Sequence, residues 1–208
     1  MIKLWGRATS SNVMKAIWTL EELGLPYERV DIGGPFGGTG TPEYRALQPL
    51  GLVPALEDGG FTMFESNAII RYICNAYAPA SPLHPAAPQP RATVETWMEF
   101  QQTTLNRPMS TVFIGLVRTP PEQRNNAAIA AAVQDVDAHW GRLDARLAQH
   151  DNIVGNSLTL ADVVYGPHVH RWFTIDIPGR TEWPNLRAWY TRLLARPAYA
   201  EHLAITPV

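Results

Sequence analysis

Five prolines fall at positions 79, 82, 85, 88 and 90, and they split the 208-residue chain into two halves of different pattern. Proline offers no backbone N–H and fixes its own φ, so residues 79–90 are predicted to be a stiff linker between domains 1–78 and 91–208. Ahead of it, strand and helix periods alternate. Strands are predicted at 2–5 and 27–32. A helix over 10–23 places Val13, Ile17, Leu20 and Leu23 on one face and is closed by Gly24 and Pro26. A glycine-rich loop at 33–40 leads to a short helix at 42–47. Residues 54–57 and 61–64 then form a hairpin around Asp58-Gly59-Gly60, and 66–77 is helical again.

The order βαβ-α-ββα asks for a mixed four-stranded sheet, its first two strands parallel through a crossover helix and its hairpin antiparallel. Behind the linker every pattern is helical: 91–116 with a kink at Pro108, 121–148, 159–173, 184–194, and a short tail helix after Pro197. Thr159 and Asp162 have capping-box spacing, with Leu158 and Val163 as the staple. The expected fold class is therefore an α/β domain followed by an all-α domain.

A composition of 46% apolar and 17% charged residues suits a globular chain with a real core. The formal charge is -2, and Lys3 and Lys15 are the only lysines, which leaves no basic footprint for nucleic acid or an anionic membrane. One cysteine, Cys74, excludes an internal disulfide and a cysteine-rich metal site. No apolar run reaches the roughly 18 residues of a membrane span, and no charged-then-apolar leader opens the chain. A cytoplasmic location is expected.

Two short strings carry chemistry. In Gly51-Leu52-Val53-Pro54 the proline cannot pair with a sheet, and a cis Val53-Pro54 bond would turn the Val53 N–H and C=O outward for an added peptide strand. Glu65-Ser66 opens a helix, where free N–H groups attract a carboxylate and the Glu65 side chain can accept from an ammonium. An amino-acid zwitterion fits that pair. Ser10, Ser11 and Asn12 stand at the first strand-to-helix corner, where each can serve as an ordinary cap or as a donor.

Other features have structural readings. Cys74 shares an apolar face with Ile70 and Tyr77 and reads as packing, and the tryptophans read as core. His168 and His170 are two apart, share no helix face, and make no metal site. The 33–40 loop lacks a Gly-Lys-Ser/Thr ending and reads as a site rim. Without Gly-x-Ser-x-Gly, a hydrolase triad has no support.

Taken together, the Ser-Ser-Asn corner, Val53-Pro54, Glu65-Ser66, the proline-rich linker and the Thr159 to Asp162 box resemble the glutathione S-transferase superfamily over essentially the whole chain. The likeness is greatest to bacterial and fungal branches, theta-like or nu-like, with Ser-x-Asn in place of tyrosine. It implies a thioredoxin-like domain ahead of the helical one, glutathione as cosubstrate without a metal, a detoxification role and a homodimer. It also implies that Ser10 or Asn12, with Ser11 between them, activates the thiol. Val53 would pair with the cysteinyl part of glutathione beside the cis-proline Pro54, and Glu65 with Ser66 would hold the γ-glutamyl end. Leu52 departs from the basic or amide residue usual before Val53, which leaves Arg7, Thr39, Thr41 and Gln48 as candidates for the glycine carboxylate. Arg107, Phe113 and Trp172 are candidates for the wall of an electrophile site.

The chemistry sets a requirement. A thiol with a pKa near 8.5 is only about 3% ionised at pH 7, and lowering that pKa by two units takes about 2.7 kcal/mol of preference for the anion. One or two charge-assisted hydrogen bonds, from the Ser10 hydroxyl, the Asn12 amide or helix N–H groups, are of that size. The resulting thiolate would attack a small apolar electrophile. The same site could serve glutathione-dependent isomerisation, dehalogenation or peroxide reduction, and a non-catalytic interaction module would keep the fold without activating the thiol. Exchange through a protein cysteine would need one at positions 10 to 12, and none is there.

Overall fold

Strand β1 (Ile2–Trp5) buries Ile2 and Leu4 on one face and takes partners on both edges. The computed structural model describes residues 1–207. β2 (Tyr27–Val30) runs parallel to β1 with Ile2 opposite Tyr27, and helix α1 (Ser11–Glu22) supplies the crossover that a parallel pair requires. β3 (Ala55–Asp58) is antiparallel to β1 with Trp5 opposite Ala55, and β4 (Phe61–Phe64) returns along β3 after Gly59 and Gly60, both at positive φ. The order β2-β1-β3-β4 is the mixed four-stranded sheet expected of a thioredoxin-like domain. Helices α2 (Pro42–Leu47) and α3 (Ser66–Tyr77) complete this half.

Helix α1 belongs to both halves of the molecule. Val13, Ile17 and Leu20 are buried in the same core cluster as Val163, Val164 and Val169 of α7 (Leu160–Thr174). Trp18 is fully buried and meets Tyr199 of α9 (Pro197–His202) edge-on, with ring centroids 4.9 Å apart. Gly166 makes that approach possible, because a Cβ there would lie 2.5 Å from the Trp18 ring. The Tyr199 hydroxyl then donates to the Gly166 carbonyl at 2.8 Å.

The helical half departs from the sequence reading at its ends. Helix α4 (Pro88–Phe100) starts at Pro88, so the last three linker residues are helical. A proline in the first turn sacrifices no intrahelical bond, since those N–H groups have no partner anyway. A wide π-helical turn, Gln101–Leu105, joins α4 to α5 (Asn106–Phe113), just where Pro108 has no N–H to return to Thr104. A second such turn, Ile114–Arg118, extends the rod beyond the expected end at 116. Pro121–Gln123 is a separate 3-10 turn, and α6 (Asn126–Leu147) starts only after the Asn125 side chain caps it by accepting from the Ala128 N–H at 3.0 Å. Strand β2 ends at Val30, two residues early, although the Ile32 carbonyl still accepts from the Arg7 N–H. Helix α8 (Pro184–Leu194) matches its expected bounds.

Asp162 is the polar keystone of this half. It is fully buried, and its Oδ2 accepts from the Thr159 N–H at 2.9 Å and the Thr159 hydroxyl at 3.0 Å. Its Oδ1 accepts from the Ile153 N–H at 2.9 Å and the Trp189 indole N–H at 3.1 Å. Burial pushes the carboxyl pKa up, and the four hydrogen bonds oppose that push. The residue thus ties α7 to α8 and to the preceding loop. Asp162→Ala is expected to cost about 3–5 kcal/mol in urea unfolding, because it strands several buried donors together; a loss below 1 kcal/mol would refute the keystone role.

Candidate active site

Ser10 is the N-cap of α1, and its carbonyl accepts from the Met14 N–H at 2.8 Å. Its hydroxyl makes no capping bond and faces a groove instead. Two residues on, Asn12 lines the same groove, and its Oδ1 accepts from the Ser66 hydroxyl at 3.3 Å. That contact pins the amide and leaves its NH₂ group as a donor. The strand-to-helix corner therefore presents a hydroxyl and an amide side by side.

The opposite wall comes from the 51–53 loop. The Val53-Pro54 bond is cis, and the Val53 N–H and C=O make no hydrogen bond with any described residue. Glu65 precedes α3 with φ 71, the only positive φ of a non-glycine among the described residues, and Ser66 follows it, buried. Ser10, Asn12 and Val53 line one groove, Ser66 joins it through Asn12, and the exposed Glu65 precedes Ser66 in the chain. The groove holds about 260 Å³.

Several candidates stand elsewhere. Ser11 is half-buried and lies off the groove wall. Gln48 is buried and its Oε1 accepts from the Leu52 N–H at 3.1 Å, so it braces the loop from behind. Thr41 accepts from the Tyr44 N–H as the cap of α2. Of the four residues weighed for the glycine carboxylate, Arg7 and Thr39 face the groove.

A second cavity of about 440 Å³ adjoins the groove and shares Arg7 and Gly34 with it. Its lining includes Ala8, Thr9, Pro35, Phe36 and Arg118. None of the wall candidates from the sequence is there. Arg107 lines a different surface cavity, Trp172 is fully buried, and Phe113 lies beneath the Arg171 guanidinium 3.8 Å away. The one usable signal was the glycine-rich 33–40 loop, which does form the rim. Arg118 follows no motif and arrives only because the helical rod ends over the sheet's edge.

A family model for the glutathione S-transferase N-terminal domain matches residues 4–82, and one for its C-terminal domain matches residues 126–192. The chain belongs to the glutathione S-transferase family. It is 40% identical to glutathione S-transferase GstB of Escherichia coli over 95% of each chain, and 31% identical to glutathione S-transferase 4 of Zea mays over 100% of this chain and 94% of that one. A crystal structure of the theta class glutathione S-transferase from Xanthomonas axonopodis pv. citri with glutathione bound superimposes with a TM-score of 0.95. It is 43% identical and covers 100% of this chain and 99% of its own.

This glutathione S-transferase carries a buried lysine directly behind the corner. Lys15, fully buried on α1, donates to Asn67 Oδ1 at 3.2 Å and Gln101 Oε1 at 3.4 Å, which bridges the two halves. Burial draws its pKa down to about 7, opposed by Glu65 and Glu99. Cys74 is also buried, and burial pushes its thiol up to about 12, too high for a nucleophile. Among the described residues no cluster of His, Cys, Asp and Glu could hold a metal ion, and no helix is long and apolar enough to cross a membrane.

The Lys15 shift has a sign that can be measured. Its folded pKa lies below the unfolded value, so between pH 7 and the ordinary lysine range the unfolded chain binds the extra proton and stability rises with pH. Relative to Lys15→Met, the parent is expected to gain up to about 1.4 kcal/mol per pH unit across that window in urea unfolding. A flat difference would show that Lys15 keeps its ordinary pKa.

Proposed function

We propose that this protein is a glutathione transferase that binds glutathione as an added strand along Val53, holds its γ-glutamyl end at Glu65 and Ser66, and activates its thiol at Ser10 and Asn12. The observation that carries the reading is the uncapped Ser10 hydroxyl, which faces the same groove as the pinned Asn12 amide and Val53. Glutathione in the similar Xanthomonas enzyme supports it. The Ser10 hydroxyl donates to the sulfur, and the Asn12 NH₂ group and the N–H groups of α1 add to the preference for the thiolate. Two such bonds supply the roughly 2.7 kcal/mol that a two-unit pKa drop needs.

The activated sulfur then faces the 440 Å³ cavity, where a small electrophile with an apolar body packs on Ala8, Pro35 and Phe36. Sulfur forms the new bond to carbon, and the leaving group departs with its electron pair. The buried Cys74 gives no support to a relay through a protein thiol. A homodimer and a cytoplasmic setting complete the reading, as in the resemblance.

Kinetics test these roles separately. Ser10→Ala is expected to lower kcat about 10- to 100-fold, with glutathione KM changing only a few-fold, and to weaken the ultraviolet difference absorbance of bound thiolate. Glu65→Ala is expected to do the reverse, raising glutathione KM about tenfold with little change in kcat. Parent-like kinetics for Ser10→Ala would transfer thiol activation to Asn12 and the backbone. No retention of the parent on immobilised glutathione would end the assignment.

A further inference from the structure

We propose that Lys15 is a positioning residue for thiol activation: by holding Asn67 at the start of α3 it sets the Ser66 hydroxyl, and through it the Asn12 amide that faces the sulfur. This rests on the transferase reading above and adds a residue that lies behind the groove, fully buried and off its wall.

The first support is a ladder between two helix starts. Asn12 and Lys15 lie three apart on α1 and so share a face of that helix. Ser66 and Asn67 are consecutive at the start of α3. Asn12 Oδ1 accepts from the Ser66 hydroxyl at 3.3 Å, and Lys15 donates to Asn67 Oδ1 at 3.2 Å, one rung beside the other. The Ser66 bond is longer than the roughly 2.5–3.0 Å usual for a hydroxyl donor, so it fixes the Asn12 amide only if the two helices are held from elsewhere. The Lys15 rung holds them. A further bond to Gln101 Oε1 at 3.4 Å anchors the amine to the π-helical turn of the helical half. Even a neutral amine has two N–H donors, enough for both amide oxygens, and the charged form strengthens both bonds.

The second support is that folding gives no reason for an amine at this point. From Val13 to Leu20 every residue of α1 is buried, and Lys15 is the one ionisable group in that run. Its hydrogen bonds go to neutral amides, so the desolvated amine is poorly compensated and an apolar residue would pack there at lower cost. Burial works against its charged form, which Glu65 ahead of α3 and Glu99 of α4 favour. Burial, Lys15, Arg171 and His139 in turn lower the pKa of His168 on α7. Both amides turn their oxygens to the amine, which leaves Asn67 Nδ2 and Gln101 Nε2 without a hydrogen-bond partner among the described residues. The amine thus dictates how the Asn67 amide lies.

The test follows the ultraviolet difference absorbance of bound thiolate against pH in the parent, Lys15→Met and Asn67→Ala. Each variant is expected to raise the thiol pKa of bound glutathione by about 0.5–1. Below that pKa kcat falls about 3- to 10-fold and above it recovers, while glutathione KM changes less than about twofold. Lys15→Met and Asn67→Ala together are expected to shift the titration no further than either alone, since both break one rung. Thr159→Ala removes a cap of α7 away from the groove wall, and is expected to lower stability without moving the titration. An unshifted titration in Asn67→Ala, which tests the rung even if Lys15→Met does not fold, would overturn the proposal. So would additive shifts in the double variant, or an equal shift in Thr159→Ala. A parent with no thiolate signal and no retention on immobilised glutathione would bring down the transferase reading itself.

Discussion

The burial of α1 between the sheet and the helical half is the constraint on which the rest of the molecule depends. One face of the helix covers β1 and β3, and the other carries Trp18 into the space left by Gly166 beneath Tyr199. A helix clamped on two sides cannot shift without opening core on both, and tightly packed interiors resist such displacement. Ser10 and Asn12 stand at the start of that helix, so their position is set by packing more than a turn away. The contact between halves is core-like, with Trp18, Tyr199 and Val163 all fully buried. The two halves therefore behave as one unit at this point.

The site is built by spending stability elsewhere in the fold. Glu65 holds a φ of 71, a conformation that costs a side-chain-bearing residue about 1–3 kcal/mol. Lys15 is buried with two amide oxygens and, among the described residues, no carboxylate within hydrogen-bond distance. Nearby, Asn67 Nδ2, Gln101 Nε2 and both ring nitrogens of His168 are buried without a hydrogen-bond partner among the described residues. Unsatisfied groups of that kind are rare in ordinary cores. They contrast with the Asp162 carboxylate, each of whose oxygens accepts two hydrogen bonds.

Much of this was legible in the sequence, and the reasons are local. The bounds of α2, α3 and α8 follow from apolar periodicity and from prolines or capping residues at their starts. Val53-Pro54 and Glu65-Ser66 were readable because each asks for a particular backbone within a few residues. Errors cluster where one residue type has two local meanings. Pro88 and Pro90 read as linker, yet in a first turn they are compatible with helix. Gln48 read as a ligand contact, although its amide is needed to hold the Leu52 N–H behind the loop.

By itself, the sequence determined the order of strands and helices, the mixed sheet, the corner of Ser10 and Asn12, and the chemistry available there, because all of these rest on periods and turn residues a few positions long. Tertiary structure alone decided which side chains face the second cavity. Arg7 and Arg118 are more than a hundred residues apart, and only the packing of the helical rod over the edge of the sheet brings them to one wall. The same is true of Trp172 and Phe113, which periodicity marks as apolar without saying whether they face a cavity or the core. Nothing local encodes that choice, since it depends on how two domains meet.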